Sequence, residues 1–379
     1  MDVMGMMRGN RTLQGELNRK LRNSALNSGA LPVIDFNCEV TNSSAVPTSV
    51  HKLRPSDIKV VAAMGDSMTA GHGIGAKNPL EIALMNRGES FSIGGDKSLE
   101  GGVLTLANIL RKFNPALKGF SVGKSFSWQD EAGFNVAEPG HKANHMLDDA
   151  KTLVDYLKSS HEWGYINFAE DWKITTLFIG GNDLCAYCKN REGRSAEKYA
   201  ENIMKALDVL QKDVPRMLVQ VVVMFDVSPL RFLQDGFLCE LLQDKFCHCA
   251  LDGATRGELR PVQLQYYEAL KQLIEVSGRY DQKEDFTVVL QPFMRDWLPP
   301  KDKYGDFDRS YFSLDCFHPG RKLHQSMAYS LWNNMLIPVG QKPLVYDHVN
   351  NRRYSCPIEV WPCVLSHHSF ALAHNYILC

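Results

Sequence analysis

Four stretches of the chain are apolar with hardly a polar interruption: Val60–Met64, Ile174–Ile179, Met217–Phe225 and Phe286–Leu290. They are rich in β-branched residues and too short for helices, so they read as strands buried on both faces of a parallel sheet. A weaker run, Phe120–Phe126, is predicted as one more strand, second in chain order. Between these runs the apolar positions recur at helical spacing, over Leu99–Phe113, Ala143–Ser159, Ser195–Val214, Pro229–Leu242, Val262–Val276 and Gly320–Leu336. In Ala143–Ser159, for example, Met146, Leu147, Ala150, Leu153, Val154 and Leu157 fall on one stripe. Strands alternating with helices predict an α/β fold: a three-layer, doubly wound sandwich on a mostly parallel sheet of about five strands. One domain is expected over residues 51–338. Residues 1–50 are rich in Asn, Ser and Thr and predict a partly disordered amino-terminal arm, tethered through Cys38. Residues 339–379, interrupted by Pro343, Pro357 and Pro362, predict an irregular extension on the surface.

Composition narrows the class without deciding it. The 379 residues are 44% hydrophobic and 22% charged, ordinary for a globular chain with a sizeable core. A formal net charge of -1 supplies no field that would favour nucleic acid. No window approaches ~18 consecutive apolar residues, so no membrane-spanning helix is expected. Residues 1–28 are polar and basic and lack the apolar core of a signal peptide. The ten cysteines point the other way. Cys185-x-x-Cys188 with Cys247-x-Cys249 could hold zinc, but the one-residue gap of the second pair is short of the usual two to four. Disulfides are the preferred reading, as in secreted chains. The sequons at Asn10 and Asn42 are compatible with secretion.

The chemistry sits where the apolar runs stop. The first ends in Gly65-Asp66-Ser67, which places a hydroxyl on a sharp turn at the carboxyl edge of the sheet, where open α/β folds bind ligands. Another ends in Gly180-Gly181-Asn182-Asp183, which offers a side-chain amide. Gly140 offers an unencumbered backbone N–H. Asp315-Cys316-Phe317-His318 sets an acid and an imidazole three residues apart, so that on a turn Asp315 can hold one ring nitrogen while the other faces Ser67. Each piece alone has a plainer reading as a turn, a helix cap or a surface pair. Their occurrence together, in order, is what points to a nucleophile with its base, its orienting acid and an oxyanion hole. Asp66 is adjacent to Ser67 but points elsewhere on the turn, and Asp315 is better placed for His318. His72 is a candidate substrate contact, whereas His141 and His145 read as structural. Met85, Phe91, Phe317 and Trp332 are candidates for an acyl groove, against their commoner use as core. Gly71-His72-Gly73-Ile74-Gly75-Ala76-Lys77 matches neither nucleotide-binding glycine pattern and reads as a flexible rim of the site.

These blocks resemble the GDSL (SGNH) hydrolases. Longer segments are similar to the animal phospholipase B branch of that family: Val50–Ser67, Phe91–Asp96, Thr105–Pro115, Thr176–Cys185 and Asp315–His318. The resemblance covers roughly residues 38 to 365. It implies a flavodoxin-like sandwich and a serine esterase that removes acyl chains from phospholipids and lysophospholipids at a membrane or micelle surface. It implies Ser67, Asp315 and His318 as the catalytic triad, with Ser67, Gly140 and Asn182 as the oxyanion hole. It implies no cofactor, no metal, no nucleic acid and no obligatory protein partner. Family members are typically secreted or membrane-anchored, so an extracellular place is expected despite the polar amino terminus. Met68 stands where the family name has Leu, a change of little volume. The alternatives are a carbohydrate acetylesterase on the same fold and a non-catalytic lipid-binding protein.

Overall fold

Each of the four strongest apolar runs forms a parallel strand: β1 (Ile58–Gly65), β2 (Trp172–Phe178), β3 (Met217–Val222) and β4 (Phe286–Gln291). All their residues are buried except Lys59. One buried residue is charged, and its local bonding explains it. Lys173 donates from Nζ to the carbonyls of Phe168, Asp171 and Pro215, so the ammonium keeps three partners inside the protein. The computed structural model describes residues 29–32, 35–40, 45–234, 236–345 and 353–357.

The strands lie in the order β1-β2-β3-β4, every pair parallel. Gly65, Phe178, Val222 and Gln291 stand level across the sheet, so the four carboxyl ends open at one height. The expected further strand at Phe120–Phe126 does not form, and the described sheet has four strands instead of about five. The free edge of β1 is met only by single parallel bridges from Lys118 to Val60 and from Asn135 to Ala63. Gly119 lies between them at φ 87° and approaches β1 so closely that a Cβ would stand 2.5 Å from the Val61 carbonyl oxygen. A chain kinked into the left-handed region cannot continue a ladder. This segment nevertheless fixes the topology. The chain leaves β1 along its outer edge, then crosses to β2 on the other side, so the direction of winding reverses at β1. That reversal is where doubly wound sheets form their binding crevice.

The helices pack in two groups. On one side α4 (Met146–Glu162) packs against α6 (Ala196–Asp213), which packs against α8 (Arg256–Lys271); the other group is α3 (Leu106–Phe113) with α9 (Arg321–Met335). Two short helices, α1 (Ser67–Ala70) and α2 (Pro79–Ile82), follow β1, and α5 (Gly181–Cys185) follows β2. The helix expected over Pro229–Leu242 is divided into a 3-10 turn, Ser228–Leu233, and α7 (Phe237–Leu251). The helix expected from Leu99 starts only at Leu106, where the Thr105 hydroxyl accepts the Asn108 N–H.

The eight described cysteines form disulfides, not a metal site: Cys38–Cys356, Cys185–Cys247, Cys188–Cys249 and Cys239–Cys316. No cysteine is free among the described residues. The first bridge ties the described part of the amino-terminal arm to the carboxyl-terminal extension. Both lie against α9, where Trp332 Nε1 donates to the Ser355 carbonyl and the Leu31 N–H donates to Gln325. Cys363, Cys379 and both sequons lie outside the described residues. Among the described residues no helix is long and apolar enough to cross a membrane.

Candidate active site

The end of β1 is built so that only glycine fits. At Gly65, φ is 154° and a Cβ would stand 2.4 Å from the Phe178 carbonyl oxygen. The next residue, Asp66, caps α1 by accepting the Met68 N–H on Oδ1 at 2.9 Å. Ser67 is thereby the first residue of a one-turn helix, and the His72 N–H closes the turn on its carbonyl. The Ser67 side chain stands over the sheet edge, nearly buried.

The base comes from 251 residues further along the chain. His318 Nε2 lies 2.9 Å from Ser67 Oγ, and His318 Nδ1 lies 2.6 Å from Asp315 Oδ2. The other carboxylate oxygen accepts the backbone N–H groups of Phe317 and His318. Burial alone would raise the Asp315 carboxyl, but the adjacent His318 and these hydrogen bonds outweigh it and hold the group below its ordinary range. The loop is fastened from outside: Cys316 is disulfide-bonded to Cys239 of α7, and its carbonyl accepts from Gln243. The His318 ring packs among Phe317, Phe246 and His72, with centroids 4.8, 5.2 and 4.3 Å away. Burial, then the neighbouring His318, push the His72 imidazole down to about 3, so it stands neutral beside the base.

Asn182, on α5, shares the cleft with Ser67. Its Nδ2 donates to the His141 carbonyl at 2.9 Å and lies 3.4 Å from Asp66 Oδ2. One of its two N–H groups is therefore firmly held and the other only loosely. Gly140 is not brought into the cleft lining. It is exposed, and its carbonyl accepts from Lys142. Its loop is nevertheless anchored at the site, by the Glu138 N–H on the Gly65 carbonyl and by the His141–Asn182 bond. Asp183 accepts the Ala143 N–H and fixes the start of the turn before α4. His141 and His145 stack on each other, and His141 pairs with Asp149, which is a structural arrangement.

The rim Gly71–Lys77 is fastened, not the flexible loop its glycines suggested. The Asn86 N–H donates to the Gly71 carbonyl, the Gly73 N–H to that of Leu84, and the Ser313 hydroxyl to that of Gly73. The cleft is open to solvent and its walls include Met68, Met224, Phe225, Val227, Leu230 and Phe317. Of the four groove candidates only Phe317 lines it. Phe91 and Trp332 belong to the main core, and Met85 packs with Ala70 and Ala137. The residues that reasoning from sequence missed follow the end of β3. Their signal was position: they come directly after a buried strand, on the same edge as Ser67. Asp66 was also undervalued, since it ties the serine turn to Asn182.

A parallel α/β sheet with a serine, a histidine and a buried carboxylate at its winding reversal has the layout of a serine hydrolase. The family model for GDSL-like lipase/acylhydrolase matches residues 61–331, and the chain belongs to that family. It is 43% identical over 342 residues to "Phospholipase B1, membrane-associated" of Homo sapiens, and equally to that of Rattus norvegicus. Each match covers 88% of this chain and 23% of the relative, so the chain spans about a quarter of the relatives' length.

Proposed function

We propose that this chain is a serine esterase that removes acyl chains from phospholipids and lysophospholipids through an acyl-enzyme on Ser67. The observation that carries the reading is the continuous relay from Ser67 through His318 to Asp315, at 2.9 and 2.6 Å, beside an apolar cleft. His318 Nε2 takes the Ser67 proton as Oγ bonds to the ester carbonyl carbon. Asp315 keeps the proton-bearing nitrogen fixed and stabilises the imidazolium. The neutral His72 adds no opposing charge. The oxyanion is met by the Ser67 backbone N–H and the loosely held Asn182 N–H, and the Gly140 N–H, on the exposed loop anchored to Gly65 and Asn182, closes the hole from the solvent side; a single such donor is typically worth ~3 kcal/mol. His318 then gives its proton to the leaving glycerol oxygen as the C–O bond breaks. In the second half His318 deprotonates water, which releases the fatty acid and restores Ser67. No step in this scheme calls for a metal or cofactor. The apolar walls favour a long acyl chain over acetyl. Four disulfides support an extracellular or membrane-associated setting, since such bridges persist in oxidising compartments.

The test compares wild type with Ser67→Ala on lysophosphatidylcholine, long-chain and acetyl p-nitrophenyl esters, and acetylated xylan. Wild type is expected to prefer long acyl chains, and Ser67→Ala to lose several decades of rate while staying folded. Preference for the acetylated sugar would make the chain an acetylesterase. Absence of both turnover and fluorophosphonate labelling at Ser67 would make it a lipid-binding protein.

A further inference from the structure

Beside the cleft the protein presents an apolar face to solvent on a rigid support. Phe126 and Trp128 stack with their ring centroids 4.7 Å apart and 4° between planes, yet they are 45% and 67% exposed. Leu80 and Leu84, at 61% and 41%, stand on the adjoining segment. The two segments are joined: Lys124 Nζ lies 3.9 Å from Glu81 Oε2, and the Ser125 N–H donates to the Met85 carbonyl. Met85 in turn bridges His72, whose ring packs on His318. The segment that carries the rings is therefore linked through the backbone of Met85 and His72 to the proposed base.

The loop that carries the rings is fixed from beneath. The wholly buried Arg87 guanidinium donates to the carbonyls of Ser125, Asn135 and Ala137. The Phe126 N–H donates to Gln129, and the Ser127 hydroxyl to Glu138. Large rings held outward on an ordered loop lose little freedom when they enter an apolar medium. Charge selects the medium. Lys77 and Lys124 are offset by Glu81, Asp130 and Glu131, so the patch has no cationic excess to attract an anionic surface. Apolar and aromatic side chains with balanced charge fit the headgroup boundary of a zwitterionic lipid aggregate, where Trp is favoured. The ring-bearing loop is tied to the serine turn, through the Ser127 hydroxyl on Glu138 and the Glu138 N–H on the Gly65 carbonyl, which argues for lipid over protein, because a protein seated on the rings would crowd the approach to Ser67 while a lipid aggregate carries the ester itself.

We propose that Leu80, Leu84, Phe126 and Trp128 form an interfacial anchor that inserts into a phosphatidylcholine-type surface and holds the cleft over it. The proposal rests on the phospholipid-ester reading, and its test separates the two. Ser67→Ala protein, which cannot turn over substrate, is floated with phosphatidylcholine vesicles alongside Ser67→Ala carrying Phe126→Ala and Trp128→Ala. Removing the rings is expected to weaken partition by about tenfold per ring, and raising salt to about 0.5 M to leave it unchanged. With Ser67 intact, the ring-free variant keeps wild-type turnover of a monomeric short-chain ester and loses turnover of vesicles. Equal partition of the two proteins overturns the anchor. So does binding that collapses with salt, or a change from dimer to monomer on ring removal with vesicle binding intact. If wild type floats through these rings yet hydrolyses no phospholipid, the anchor stands and the ester reading falls.

Discussion

Replacing Asp66 by Asn separates two jobs that one carboxylate performs. Asp66 Oδ1 caps α1 through the Met68 N–H, an acceptor that Asn retains. Its Oδ2 stands 3.4 Å from Asn182 Nδ2, where an amide nitrogen could not accept the Asn182 proton, at a cost of about 1 kcal/mol at every pH. Charge adds a second, pH-dependent effect. Burial pushes the Asp66 carboxyl from 3.8 up to about 7, against the opposing pull of the Met68 N–H and His318. The folded protein therefore keeps a proton that the unfolded chain releases near pH 3.8. Between those values the native state binds more protons, so wild-type stability falls as pH rises, and it levels off above about 7. At about 1.4 kcal/mol per pH unit, the interval from about pH 5 to 7 is worth on the order of 3 kcal/mol. The substituted amide does not titrate. Asp66→Asn is thus expected to be slightly less stable than wild type near pH 4 and more stable by a few kcal/mol near pH 8. Urea unfolding of both proteins across that range, with disulfides intact, measures the difference. Parallel stability profiles would show that Asp66 does not hold the extra proton, and the reasoning would fail.

Two further outcomes are expected. Asn182→Ala removes the proposed oxyanion donor together with its bonds to His141 and Asp66, none of which touches the ground-state ester, so kcat should fall about 10²- to 10³-fold with KM nearly unchanged in a protein that stays folded; a raised KM with intact kcat would place Asn182 in ground-state binding instead. Cys185–Cys247 and Cys188–Cys249 run side by side, from the end of α5 and the 3-10 turn after it to α7, with sequence separations of 62 and 61. Either bridge alone closes the long loop, and the other then closes only a short ring. Loop entropy gives about 2 kcal/mol for removing one bridge by Cys→Ala and roughly 7 kcal/mol for removing both; additive losses in denaturant unfolding would refute this account.

The candidate site was more legible than the sheet that carries it. Gly65-Asp66-Ser67, Asn182 and Asp315-x-x-His318 are local patterns, each tied to a turn whose geometry a few residues impose. The outer edge of β1 was misjudged because Phe120–Phe126 has the composition of a strand while Gly119 holds it too close and too kinked to pair. The acyl-groove candidates failed for a related reason. Phe91 and Phe225 are alike in size and apolarity and both belong to the main core, and only packing decides that Phe225 also lines the cleft.

Sequence alone determined the class. Four apolar runs are buried as strands covered on both faces of the sheet, and parallel strands bring their carboxyl ends to one edge, so turns far apart in the chain had to converge. Tertiary structure alone decided which cysteines pair, because disulfides depend on distances that no spacing encodes. It alone decided that Gly140 stands exposed while Asn182 lines the cleft. It also joined Asp66 to Asn182 across 116 residues, and turned Phe126 and Trp128 outward. Each of these is settled by which surfaces meet when the layers close, and that is a property of the whole packing, not of any local stretch.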